Sequence, residues 1–109
     1  MHPVLKEALE RSPVMPVLVI PELSMAKPLA EALASGGLTV FEITLRTACA
    51  LEAMAVMKQA VPDALIGAGT VTNPERLRDA KAFGADFVVS PGTTESLWQC
   101  RQVEQLPIL

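Results

Sequence analysis

Four short apolar runs, each followed by a stretch with helical spacing and closed by Gly or Pro, recur almost evenly along this chain and leave it few ways to fold. The runs cover residues 14–20, 40–46, 64–70 and 86–90, and Pro107-Ile108-Leu109 reads as the opening of a fifth. Near-continuous apolar runs of this length are strands buried on both faces, as in parallel sheets covered by helices. Between them the spacing predicts helices over 2–11, with Val4, Leu5, Ala8 and Leu9 on one side, and over 24–35, capped by Ser24. A third helix starts from Thr47 and reaches 61. A fourth, capped by Asn73 with Pro74 at its first position, reaches 83, and a fifth, capped by Thr93 or Thr94, reaches 105. Ser12-Pro13 breaks the first helix, while Gly36-Gly37 and Gly84 stop two of the others.

Alternating βα units imply a parallel sheet with right-handed crossovers. Such a sheet can be open and doubly wound, or it can be part of a (β/α)8 TIM barrel. The first option needs a glycine fingerprint after its first strand. Gly67-Ala68-Gly69-Thr70-Val71-Thr72 lacks the third glycine and follows the third run, so it does not serve. Polar residues instead gather at successive strand ends: Glu42 and Arg46, then Thr70, then Ser90-Pro91-Gly92. Barrel enzymes collect their chemistry at that mouth. Residues 1–109 then supply about four of the eight βα units of one barrel domain and the start of a further strand. Half a barrel leaves strand edges near Val14 and at Pro107 unpaired and its inward face, including Val40, exposed.

The run over 40–46 carries the chemistry. Side chains alternate along a strand, so Phe41, Ile43 and Leu45 share one face, while Val40, Glu42, Thr44 and Arg46 share the other. Placing an acid and a guanidinium on an otherwise apolar strand is costly unless each is paired or solvated. Two readings stand: a structural Glu42–Arg46 ion pair closing the strand, or a functional site. Trp98 and Met54 read as core, and Glu7, Glu31, Glu52, Glu75 and Glu95 as solvated helix charges.

Composition removes several classes. A chain of 109 residues with net charge −3 and nine scattered Lys and Arg has no basic stripe for nucleic acid to follow. The charged N-terminus is no signal peptide, and no run approaches the ~18 apolar residues of a membrane span. Cys49 and Cys100 stand outside any CxxC pattern and read as buried thiols of a reducing, cytoplasmic compartment, with neither disulfide nor metal. With His2 the single histidine, Ser-His or Cys-His catalysis and a histidine metal cluster are excluded as well.

Four stretches together resemble one family: Pro16-Val17-Leu18-Val19-Ile20, Phe41-Glu42-Ile43-Thr44-Leu45-Arg46-Thr47, Ile66-Gly67-Ala68-Gly69-Thr70-Val71 and Val89-Ser90-Pro91-Gly92. They are similar to the N-terminal half of the 2-keto-3-deoxy-6-phosphogluconate/4-hydroxy-2-oxoglutarate aldolases, class I aldolases on a (β/α)8 barrel. The resemblance implies that Glu42 moves the proton, that Arg46 grips the carboxylate of a keto acid's pyruvate moiety, and that Thr70 and Pro91 line the same pocket. It implies no cofactor, a lysine on the sixth strand as electron sink, and a homotrimeric assembly. Lys6, Lys27, Lys58 and Lys81 all fall on expected helices, so the electron sink is missing and this half should not catalyse the reaction alone. The missing C-terminal half-barrel, or another subunit, is the implied partner. The alternative is a non-catalytic half-barrel acting as a binding or assembly module.

Overall fold

The computed structural model describes residues 2–11 and 14–109, so the break expected at Ser12-Pro13 lies outside the described residues. The first helix, α1, spans Pro3–Arg11 and precedes strand β1, Val17–Leu18. A 3-10 turn, Leu23–Met25, leads into α2, Ala26–Ser35. Then follow β2 (Val40–Thr44), α3 (Ala50–Ala60), β3 (Leu65–Gly69), α4 (Pro74–Ala82), β4 (Phe87–Val88) and α5 (Glu95–Glu104).

The four strands form one parallel sheet in the order β1-β2-β3-β4. A doubly wound sheet reverses its strand order partway; a barrel adds each strand to the same side. Beyond β4 the addition continues. Ile108 bridges Val88 in parallel, with Val88 N–H donating to Pro107 O at 2.9 Å and Leu109 N–H donating to Val88 O at 2.8 Å. A fifth strand thus begins on the free edge of β4, and the order never turns back.

Alternation along the strands divides the core in two. Phe41, Ile43 and Leu45 pack with Ile66, Ala68 and Val88 under Met54, Met57, Leu77 and Leu97 of the helices. Val40, Leu65 and Phe87 form a separate cluster on the other face with Ala8, flanked by Val4, Leu5 and Met15. The expectation of an exposed inward face therefore fails at this end of the sheet. Val40 is 1% exposed, because α1 folds across the N-terminal ends of the strands and supplies an apolar cover. Exposure remains on β1, where Val17 is 59% and neighbouring Val19 is 53% exposed. Trp98 is also a correction: it lies exposed on α5 with the Arg101 guanidinium 3.6 Å from its ring centroid, whereas Met54 is fully buried.

Two expected caps are corrected as well. Ser24 falls inside the 3-10 turn, and α2 starts at Ala26 with no side-chain cap. The Thr47 hydroxyl donates to Ile20 O at 2.7 Å, and Cys49 occupies the N-cap of α3 without a capping bond. Ile20 is fully buried and its carbonyl needs a donor; that long-range demand takes the hydroxyl that a local cap would have used. Asn73 and Thr94 cap as expected, accepting from Arg76 N–H at 2.9 Å and Leu97 N–H at 3.2 Å. The strands are shorter than their apolar runs. β1 has one neighbour, with Glu42 N–H donating to Pro16 O at 2.9 Å, and β2 ends at Thr44, after which the chain turns through Leu45 and Arg46.

Candidate functional site

Register places the inner-facing residues in layers. Val40 pairs with Leu65, Glu42 with Gly67, and Thr44 with Gly69; Gly67 pairs in turn with Phe87, and Val17 with Glu42. The lowest layer, Val40 and Leu65, is filled and sealed by α1. Above it, the two glycines of β3 leave room for larger neighbours. A Cβ at Gly67 would lie 2.6 Å from Cδ2 of Phe87, so the phenyl ring occupies the space that a side chain there would take. A Cβ at Gly69 would lie 2.7 Å from the carboxyl carbon of Glu42 and 3.0 Å from its Cγ. The Glu42 side chain therefore runs along the inner face toward the C-terminal end of β3.

Glu42 is 6% exposed, and among the described residues nothing donates a hydrogen bond or ion pair to its carboxylate. Burial pushes its carboxyl above the ordinary glutamate range. Arg46 lies exposed in the turn after β2, and it forms no ion pair with Glu42 among the described residues. The structural-pair reading of these two residues is thus removed, leaving the acid desolvated and the guanidinium available. Thr44, between them, is buried and donates its hydroxyl to Leu18 O at 3.2 Å, which ties the site to β1.

Thr70 follows β3 immediately with φ of +62°, a conformation that a β-branched residue adopts only under constraint. Two backbone bonds supply it: Leu45 N–H donates to Gly69 O at 3.0 Å and Val71 N–H donates to Val89 O at 3.1 Å. These bonds lace the turn carrying Arg46, the Thr70 corner and the loop after β4 into one rim. Pro91 sits exposed on that loop, next to Ser90, whose hydroxyl donates to Gly92 O at 2.7 Å. The strand ends thus gather Glu42, Arg46, Thr70 and Pro91 at one end of the sheet. Gly67, Gly69 and Phe87 were missed as part of this arrangement. Leu65, Gly67 and Gly69 do alternate with Ile66 and Ala68, which was the available signal.

A desolvated carboxyl with a raised pKa holds its proton to higher pH than an ordinary glutamate and can pass it to or from a bound group, and a free guanidinium can hold a carboxylate through two parallel hydrogen bonds. The four lysines all lie on helices α1 to α4, none on a strand or on the loop that directly follows one. Lys58 is committed to structure, donating to Asp86 Oδ2 at 2.7 Å and to Ala64 O at 2.6 Å. Cys49 and Cys100, expected as buried thiols, are half-buried and unbonded to one another. Among the described residues no three His, Cys, Asp or Glu side chains gather as metal ligands, and no helix is long and apolar enough to cross a membrane.

Residues 5–109 match the family model of KDPG and KHG aldolase. The 2-dehydro-3-deoxy-phosphogluconate aldolase of Dickeya dadantii is 48% identical over 104 residues, covering 95% of this chain and 49% of that protein. Among solved structures, the 2-keto-3-deoxy-6-phosphogluconate aldolase of Zymomonas mobilis ZM4 with 3-phosphoglycerate superposes with a TM-score of 0.92 at 48% identity. The match covers 100% of this chain and 51% of that one. The KDPG aldolase of Legionella pneumophila, with pyruvate captured at low pH as a covalent carbinolamine intermediate, gives 0.88 at 47% identity over 94% of this chain and 50% of its own. The chain spans about half the length of the relatives it matches.

Proposed function

Because the chain belongs to the KDPG and KHG aldolase family, we propose that it is the N-terminal half of a class I aldolase barrel that releases pyruvate from a 2-keto-3-deoxy sugar acid phosphate or from 4-hydroxy-2-oxoglutarate. The observation that carries this reading is the Glu42 carboxyl: buried on the inner face, unpaired among the described residues, and pushed upward by desolvation, on the strand whose closing turn carries an exposed Arg46. Cleaving a carbon–carbon bond next to a ketone requires an anchor for the keto acid, a group that moves one proton, and an electron sink. Arg46 is assigned the first task, through bidentate contact with the pyruvate carboxylate, and Glu42 the second. Thr70 and Pro91 line the pocket wall. The sink is assigned to a lysine on the other half of the barrel, since the four lysines here are on helices.

The activity then belongs to the completed barrel. A cytoplasmic setting suits the two unbonded thiols, and a homotrimer of closed barrels is the assembly assigned. The test joins residues 1–109 to the C-terminal half of the Zymomonas mobilis aldolase. The fused protein is expected to cleave the keto acid. Glu42→Gln should lower kcat by about 10²–10⁴-fold, and Arg46→Lys should raise KM more than it lowers kcat. A folded but inactive fusion, or a Glu42→Gln variant with full activity, overturns the assignment. The 109-residue chain alone should give no borohydride-trappable adduct with pyruvate; a stable adduct on any of its lysines refutes that part.

The exposed edge at Val17 and Val19 favours a second reading, a non-catalytic half-barrel that docks another half and keeps a weak keto-acid site at Arg46. In that case the fused protein folds and binds pyruvate without turnover.

A further inference from the structure

The two inner-facing glycines of β3 do different work. Both lie in extended strand, and the glycines with positive φ are Gly37 and Gly84, so the backbone at 67 and 69 would suit any residue. Glycine weakens a strand, through the entropy it loses and the side chain it fails to pack. The reason for it at these positions is therefore space. What fills that space differs in kind. Over Gly67 lies the ring of Phe87, a rigid group, fully buried and packed in the cluster beneath α1, where it borders a small apolar cavity shared with Leu5, Met15 and Val40. Over Gly69 lies the far end of the flexible Glu42 side chain, which can swing away.

We propose that Gly69 is a positioning residue: having no side chain, it leaves the room in which the Glu42 carboxyl lies, and so holds that carboxyl against the end of β3, next to the Thr70 corner. The assignment rests on Glu42 being the proton-transferring group. It predicts an unusual separation: a methyl group at Gly69 disturbs the site and spares the fold, because the atoms it displaces belong to the site alone. Few charges compete to set the behaviour of Glu42. The flanking strands β1 and β3 carry no ionisable side chain, Lys6, Glu7, Glu10 and Arg11 of α1 are exposed, and Arg46 ends in solvent.

The experiment titrates the side-chain carboxyls of the 109-residue chain by carbon-13 NMR, with Glu42→Gln assigning the resonance. In the unsubstituted chain Glu42 should titrate above the ordinary glutamate range. In Gly69→Ala its midpoint should fall toward that range as the carboxyl swings into water, while the melting temperature stays near that of the parent. An unchanged Glu42 midpoint overturns the proposal. Should Gly69→Ala destabilise the chain, the same substitution in a Glu42→Ala background decides the matter. Rescue there supports the proposal, and an equal loss in both backgrounds overturns it. In the fused protein Gly69→Ala should lower kcat by about 10²-fold with KM little changed. An inactive fusion defeats the aldolase reading and leaves the NMR result to judge Gly69 by itself.

Discussion

Glu42 places an ionisable group where water is scarce, and the sign of its effect on stability follows from that. Burial raises the folded-state pKa above the unfolded one. Folding is therefore favoured most where the carboxyl is protonated in both states, below the unfolded value, and this advantage is lost as pH rises through the folded value. Glu42→Gln keeps the shape and removes the charge. The variant should melt above the parent chain at pH 7 and converge with it in mild acid. A series of thermal melts against pH checks this, and equal melting temperatures at pH 7 would contradict it. This residue was legible because alternation on a strand is a strict period of two, so Val40, Glu42 and Thr44 had to share a face. Gly69 was not legible in the same way. A glycine carries no side chain to mark its face, and Gly-Ala-Gly-Thr has the composition of a loop.

At the scale of elements, β3 and β4 are joined by two devices with measurable strength. Phe87 fills the space above Gly67, so Gly67→Ala overpacks a buried site and forces a rigid ring to shift, at about 1–3 kcal/mol. For a domain of this size each kcal/mol lowers the melting temperature by roughly 4–8 °C. Gly67→Ala should therefore melt well below Gly69→Ala, and reversal of that order would refute the packing described. Asp86 is the second device. Its Oδ2 accepts from Lys58 Nζ at 2.7 Å and from Ile66 N–H at 2.9 Å, joining α3 to the entry ends of both strands. Asp86→Ala leaves the buried Ile66 N–H without this acceptor, a loss of about 1–3 kcal/mol. The Lys58 contribution is discounted because both side chains remain about a quarter exposed, at 27% and 22%. Asp86→Asn keeps an acceptor for Ile66 and should lose less in chemical denaturation. Element type and order were readable from periodicity with Pro and Gly punctuation. The caps at Asn73 and Thr94 were readable because a local hydrogen bond satisfies them. Thr47 failed as a cap, since the carbonyl of Ile20, 27 residues away, makes a claim that no local rule contains, and Ser24 failed because the 3-10 turn Leu23–Met25 takes it in. The partner of Asp86 is equally long-range.

At the scale of the whole molecule, the β1 side of the sheet is an edge that the rest of a barrel would cover. Among the described residues β1 pairs with β2 and no other strand, and Val17, in register with Glu42, is 59% exposed. Its exposure makes it a surface residue in this chain and an interior residue once the sheet closes. Substitutions at such a position separate folding of the half from closure of the whole. Val17→Lys should change the stability of the 109-residue chain by no more than about 0.5 kcal/mol, the usual range for a solvated site. In the fused barrel the same lysine would be buried beside Glu42 at the level of the second layer. A buried ammonium is unfavourable unless paired, and the raised carboxyl of Glu42 is the group it would pair with. The fusion should then lose either its closed fold or the free Glu42 on which turnover depends. Activity should fall in both cases, while the melting temperature of the isolated half stays put. If Val17→Lys leaves the fused protein stable and fully active, β1 does not face a closed interior, and the sheet continues past this edge in some way other than a barrel.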